Sequence, residues 1–150
     1  MKRELVDGYA LRFARDGDGA GLSVIAAQAG SPVDAAVLDV LAAANRVFVV
    51  DDASGTPAGL AAVGEAEGLC LVEALGVLPE HRCRGAGSAL LTSIEEFARW
   101  AYYAAVVIPL RDTDAVHFLF RRGYLAADAD RLTGAIADRS GPAGLVVRRL

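Results

Sequence analysis

The sequence predicts a single α/β domain of the α+β type, with helices lying on a sheet, and three observations predict it. The chain is 150 residues long, which is enough for one core and too short for two. Apolar residues make up 54% of it and aromatics only 7%, so small and branched aliphatics are expected to build a closely packed core. Strand-like alternation and helix-like periodicity follow one another with no internal repeat, low-complexity tract or linker, so residues 1–150 are expected to form one domain.

In chain order, Tyr9, Leu11 and Phe13 alternate with other residues as in a strand, and Gly17-Asp18-Gly19 breaks the pattern. Asp18 is expected to cap a short helix over about Ala20 to Ala29. Ser31, Pro32 and Asp34 then give a second start signal, with Ser as N-cap and Pro as first helical residue. In that second helix Val33, Val37, Val40, Leu41 and Ala44 recur at helical spacing and predict the face that lies on the sheet. Val47 to Val50 reads as a strand, turned back by Asp52 to Pro57 onto Leu60 to Val63. Leu69 to Val77 is the third member of that meander. From about Arg84 to Ala101 the pattern is an amphipathic helix, with Leu90, Leu91, Ile94, Phe97, Ala98 and Ala101 on one side and Glu95, Glu96 and Arg99 on the other. Val106 to Ile108 reads as a buried strand, Ala115 to Arg121 as a short helix, Gly123-Tyr124 as the entry to a strand and Leu145 to Val147 as the closing strand. Residues 128 to 141 read as an irregular connection.

Composition narrows the function classes. A formal charge of -4 and a pI near 5.1 argue against a nucleic-acid binder, which needs a basic face to displace counterions. No stretch approaches the roughly 18 to 20 apolar residues that cross a bilayer, and MKRELVDGYA carries charges where a secretory signal needs an apolar run. A cytoplasmic protein without membrane or nucleic-acid partners is therefore expected, with Cys70 and Cys83 as free thiols.

The chemistry concentrates after the third strand of the meander, in Val77-Leu-Pro79-Glu-His-Arg82-Cys-Arg84-Gly85-Ala-Gly87-Ser88. Glycines let the backbone turn with its N–H groups inward, and a helix start leaves about four N–H donors unpaired. The helix dipole adds about half a positive charge there. Arg82 and Arg84 add side-chain cations. The segment is thus either an anion site suited to a diphosphate or a plain strand-to-helix turn. It lacks the Gly-Lys-Ser/Thr ending of a nucleoside-triphosphate loop, and Leu90 stands where a dinucleotide fingerprint wants a small residue.

Arg82-Cys83-Arg84-Gly85-Ala86-Gly87 resembles the Arg/Gln-x-x-Gly-x-Gly/Ala signature of the GNAT acyltransferase superfamily, preceded by its Leu-x-Val-x-Pro as Leu75, Val77 and Pro79. Ala115, Gly123 and Tyr124 are similar to parts of the family's second motif, Asn-x-x-Ala-x-x-x-Tyr-x-x-x-Gly-Phe. The resemblance implies a central mixed, mostly antiparallel, splayed sheet flanked by about four helices, and acetyl-CoA as cosubstrate with no metal. It also implies that backbone N–H groups from Arg84 through Gly85, Ala86 and Gly87 to Ser88, with Arg82 alongside, hold the CoA pyrophosphate. Leu75 and Val77 would pair with the pantetheine arm like an added strand, and a backbone donor at Leu75 or Gly76 would face the thioester oxygen. The function implied is N-acetyl transfer to a small-molecule or peptide amine by direct attack, with a homodimer as the assembly the family suggests. The alternative is an acyl-CoA-binding sensor or partner module with weakened catalysis.

Two positions depart from the second motif: Asp112 replaces its Asn and Leu119 its Tyr, the residue that in many relatives protonates the departing thiolate. With a thiol pKa of about 8.5, expelling the thiolate near neutral pH forgoes roughly 2 kcal/mol, which slows transfer without forbidding it. Tyr102, Tyr103 and Tyr124 are possible replacements or simply packing aromatics. Glu73, in the strand leading to the loop, is the candidate base for the amine proton, or else a solvent-facing strand residue. Glu65 and Glu67 are weaker candidates, and His81 and His117 read as solvated. Cys83 is either activated by its flanking arginines or an incidental surface thiol, and Asp51 and Asp52 either attract a cationic acceptor or end a strand.

Overall fold

A computed structural model describes residues 2–111, 115–127 and 144–150. It begins with a strand the sequence pattern does not announce. β1 (Lys2–Glu4) is wholly exposed and pairs antiparallel with β2 (Ala10–Phe13). Its Lys-Arg-Glu sequence carries no apolar alternation, which is how an edge strand resists further pairing. After β2 come α1 (Gly19–Gln28) and α2 (Ala35–Ala43). β3 (Val47–Asp51), β4 (Pro57–Ala66) and β5 (Leu69–Val77) form the meander that the sequence predicts. A single 3-10 turn (Pro79–His81) leads to α3 (Ala86–Trp100), followed by β6 (Ala105–Pro109), α4 (Val116–Arg121), β7 (Leu125–Ala127) and β8 (Leu145–Arg149). The irregular connection expected over 128–141, and Asp112, lie outside the described residues.

The strands hydrogen-bond in the order β1-β2-β3-β4-β5-β6-β8-β7, a mixed, mostly antiparallel, open sheet. Its parallel ladder joins β5 to β6 through Cys70–Val106 and Leu71–Val107, and β5 runs on beyond that ladder to Val77. The described chain forms two compact units, Met1–Val63 with Glu73–Glu95, and Gly64–Val72 with Glu96–Leu150. In the first, Leu22 and Ala26 of α1 and Leu38 of α2 pack on Val47, Val49, Leu60, Ala62 and Ala74 of the strands. In the second, Leu71, Val107 and Leu145 form a smaller cluster beneath Val147 and Ala127.

Three local expectations are corrected. Leu38, fully buried, is the centre of the packed face of α2, with Leu41 and Ala42 beside it, whereas Val37 and Val40 are 40% and 71% exposed. The helix is apolar on nearly every side, so period alone could not fix its phase. Neither expected N-cap makes a side-chain cap: Asp34, not Ser31, stands at the α2 cap position, and the Asp18 carboxylate turns away from α1. Glu95, placed on the water side of α3 by its charge, is only 2% exposed.

Asp18 instead serves a buried arginine. The Arg12 side chain, on β2, is 7% exposed, and its Nε and Nη2 donate to both carboxylate oxygens of Asp51 on β3, at 2.7 and 3.3 Å. Its Nη1 donates to Asp18 at 2.9 Å and to the Phe13 carbonyl at 3.1 Å. Burial alone would lower the Arg12 pKa, but the bonds and charges of Asp51 and Asp18 outweigh it and raise it. Burial likewise pushes the Asp18 carboxyl up, and the Arg15 N–H and the Arg12 guanidinium more than reverse this, holding it below the usual range. Arg12 satisfied in this way can sit in the sheet; an unpaired buried charge could not.

Arg12→Met is expected to lower unfolding stability by about 3 kcal/mol in urea titrations, because it strands two partly buried carboxylates. A carboxyl with a lowered folded-state pKa stabilises above its unfolded value of about 3.9, and that contribution is lost as pH falls through the folded value. The stability difference between the parent and Asp18→Asn should therefore be full at pH 6 and shrink steadily below about pH 4.

Candidate functional site

The loop between β5 and α3 is shaped by two positive backbone angles, Cys83 at φ 62° and Gly85 at φ 87°. Left-handed residues interleaved with ordinary ones turn successive amides toward one concavity, the geometry of an anion nest. The first helical bond of α3 runs from the Ala89 N–H to the Gly85 carbonyl at 3.0 Å. The N–H groups of residues 83 to 88 have no acceptor among the described residues. They are the orphan donors of a helix start, facing outward from an exposed loop.

The small residues keep that surface open. A Cβ on Gly87 would meet only the Val77 Cγ2 at 4.0 Å, and one on Gly85 would meet nothing within 4 Å. Ala86 is buried, and Gly87 and Ser88 are half-buried. Arg84 is exposed, while Arg82, also exposed, folds back so that its Nε donates to the Val77 carbonyl at 3.1 Å. Cys83 is an exposed free thiol and Cys70 a buried one.

β5 supplies the other half of the site. Ala74 packs into the helix-covered core, so alternation sends Glu73 and Leu75 to the opposite face, where Glu73 is half-buried. At Gly76 neighbouring chain packs too close for a side chain. A Cβ on it would lie 2.7 Å from Ala29 Cβ, and one on Gly59 would lie 2.8 Å from the Gly76 carbonyl. The Leu75 N–H, expected to be available to a thioester oxygen, already donates to Ser31 Oγ at 3.1 Å. Sequence reading assigned Ser31 to a helix cap, since nothing local signals a contact to a strand 44 residues away.

At the foot of the loop His81 is held rather than solvated. Its Nδ1 shares a 2.7 Å hydrogen bond with the Tyr9 hydroxyl, and its Nε2 lies 3.9 Å from Asp52. Asp52 closes the β3–β4 turn by accepting from the Ser54 hydroxyl and from the Ser54 and Thr56 amides, which hold its carboxyl below the usual range. A cleft of about 340 Å³ lies between these residues, Asp7 and Arg84. Asp51 is spent on Arg12 and Asp52 on its own turn, so neither stands free for a cationic acceptor.

The remaining candidates separate cleanly. Leu119 is 2% exposed inside α4. Tyr102 is 95% exposed, Tyr124 is fully buried, and the Tyr103 hydroxyl donates to Glu65 at 2.6 Å. His117 is exposed on α4 and Glu67 on the β4–β5 turn.

A sequence profile of the GNAT acetyltransferase domain matches residues 43–125, which hold the whole of β5, the loop and α3. The chain belongs to the GNAT acetyltransferase family. Solved structures share the fold of this GNAT domain. An acetyltransferase of the family from Staphylococcus aureus Mu50 superposes with a TM-score of 0.80 at 11% identity, covering 95% of this chain and 99% of its own. N-acetylglutamate synthase from Neisseria gonorrhoeae, complexed with coenzyme A and N-acetyl-glutamate, gives 0.79 at 19% identity over 99% of this chain and 36% of its own. The chain thus spans about a third of the length of that synthase. Rv2747 from Mycobacterium tuberculosis, in complex with CoA, gives 0.74 at 17% identity over 93% and 98% of the two chains. At these identities the likeness speaks for the fold. No curated protein matches the chain in sequence. No helix among the described residues is long and apolar enough to cross a membrane.

Gly85→Ala tests the loop's backbone requirement. A Cβ there meets no atom, so the expected loss, about 1 kcal/mol by urea denaturation, is that of holding a left-handed residue alone.

Proposed function

We propose that this GNAT domain binds acetyl-CoA through the β5 edge and the residue 83–88 amides, and transfers the acetyl group to an amine by direct attack. The observation that carries the proposal is the run of unpartnered N–H groups opening α3, bordered by Gly87, whose missing side chain leaves room outside the helix. A diphosphate brings several acceptors and negative charge to that spot, where amides and the helix dipole favour both. Arg82 and Arg84 add charge-assisted bonds. Leu75 and Val77 offer their backbone to the pantetheine amides in the manner of an added strand. For this, Arg82 must leave the Val77 carbonyl, which frees its guanidinium for phosphate.

In the proposed reaction Glu73 takes the amine proton, directly or through water, from its half-buried place on the face of β5 opposite the helix-covered core. The acceptor is a small-molecule or peptide amine. The leaving thiolate gets no proton from the α4 position, where Leu119 is buried and has none to give. That same leucine favours a second reading, an acyl-CoA-binding module with weakened catalysis. Following free thiol release from acetyl-CoA over a broad amine panel separates the two. Release above the uncatalysed rate supports the transferase, and tight CoA binding with none supports the module.

Gly87→Leu should leave the unfolding midpoint nearly unchanged, since its Cβ would meet nothing closer than the Val77 Cγ2 at 4.0 Å. Calorimetric CoA binding should nevertheless be abolished, and unchanged affinity would remove the coenzyme from this loop. Glu73→Gln should lower turnover by about 10²-fold at neutral pH and by progressively less as pH approaches the amine's own pKa near 10, where no base is needed. A ratio that stays flat with pH would take the role of base from Glu73.

A further inference from the structure

The connection between α1 and α2 brings one hydroxyl to the edge of β5 just where the proposed thioester lies. Ser31 is 8% exposed. Its N–H donates to the Ala26 carbonyl at 2.9 Å, and its Oγ accepts the Leu75 N–H at 3.1 Å. Neighbouring contacts fix this position. Ala29 packs against Gly76, where even a methyl group would not fit, and Ser23 Oγ donates to the Val33 carbonyl at 2.7 Å. The hydroxyl is thus held from both sides of its own loop.

A hydroxyl that accepts one bond still has its own proton to donate. No acceptor for the Ser31 proton lies among the described residues. A donor so far from solvent is costly to leave unpaired, so a ligand oxygen at this place gains what the protein withholds. The Leu75 N–H polarises the same hydroxyl from behind, which strengthens it as a donor. The amide that the family resemblance would aim at the thioester is spent, and the hydroxyl it holds is available instead.

We infer that Ser31 Oγ–H donates to the thioester carbonyl oxygen of the bound acyl-CoA and stabilises the oxyanion formed as the amine attacks. This rests on the acyl-CoA reading of the site. As the C–N bond forms, the carbonyl π pair moves onto oxygen, and the Ser31 bond shortens without giving up its proton. When that pair returns, the C–S bond breaks, sulfur leaves with the bonding pair, and the amine proton goes to the base. Ser31 thus acts on the oxygen, where charge builds up before the leaving group departs. It does not replace an acid at sulfur.

The test reads the ground-state hydrogen bond directly and needs no acceptor amine. Acetyl-CoA labelled with carbon-13 at the thioester carbonyl is bound to the protein, and its carbonyl band is isolated by isotope-edited infrared difference spectroscopy. In the parent the band is expected to move to lower wavenumber on binding. In Ser31→Ala, and in the near-isosteric Ser31→Cys with its weak S–H donor, most of that shift should vanish. Calorimetric affinity for CoA itself, which has no thioester, should stay within about threefold. With an amine in turnover, Ser31→Ala should lower kcat by about 10²- to 10³-fold at unchanged KM for acetyl-CoA. A band shift in both variants equal to the parent's overturns the assignment, as does a loss of CoA affinity that accounts for the whole effect. A parent protein that binds no CoA overturns the coenzyme reading first; one that binds CoA with serine-independent spectra overturns Ser31 alone.

Discussion

Backbone amides must find acceptors, and in this domain a helix start is left with donors that the fold does not use up, beside a strand end whose polar groups are met by side chains. The N–H groups opening α3 have none among the described residues, and near the end of β5 the Leu75 N–H is met by the Ser31 hydroxyl and the Val77 carbonyl by the Arg82 side chain. Amides in that state are either hydrated or waiting for a ligand. An extended chain of amides ending in a diphosphate matches both sets in one molecule: strand-like pairing along the edge, then anion capture at the helix. Coenzyme recognition of the proposed sort requires little of the side chains, since backbone groups would make most of the contacts.

The strand must be held still for this to work, and small residues do the holding. Gly59 and Gly76 let β4 and β5 approach closely, and Gly76 against Ala29 lets the α1–α2 connection lie on the strand. Ser31 reaches Leu75 only because that approach is allowed. On the neighbouring strands the Arg12 guanidinium ties β2, β3 and the turn before α1 through Asp51 and Asp18. The Tyr9–His81–Asp52 contacts then fasten the turn that enters the loop to the end of β2 and to the β3–β4 hairpin. The loop amides are thus anchored on one side by packed small residues and on the other by polar bonds.

Much of this was legible in the sequence, for reasons that differ by element. The meander from Val47 to Val77 could be read because its turns have their own chemistry, Asp52 accepting from Ser54 and Thr56 in one, and Glu67-Gly68 in the left-handed region in the other. The order of strand, loop and helix around residues 78 to 85 could be read because Gly85 serves backbone geometry, a local property. The face of α2 could not, since a helix of Ala, Val and Leu looks apolar from every direction and only packing selects Leu38. Glu95 was misplaced for the converse reason: charge suggests water, and nothing local reveals a buried setting. Ser31 was read as a cap because the local signal for a serine before a helix is strong, while its actual partner is distant in sequence.

The leucine in α4 alters how the proposed transfer would be driven. In the proposed reaction, with no acid at that position, the thiolate would leave unprotonated, at a cost of roughly 2 kcal/mol near neutral pH, and the deficit would fall on the collapse of the tetrahedral species. Stabilising the oxyanion lowers the barrier to forming that species, so attack and collapse come to depend on different groups. In the proposed reaction the Ser31 hydroxyl of the α1–α2 connection, itself bonded by the Leu75 amide of β5, suits the first step, being a fixed dipole that needs no reorganisation as charge appears. The second step is then governed by the basicity of the thiolate alone. On the proposed reading the domain is best matched to amines that remain poor leaving groups once bonded to the carbonyl carbon, because such adducts break toward sulfur without assistance.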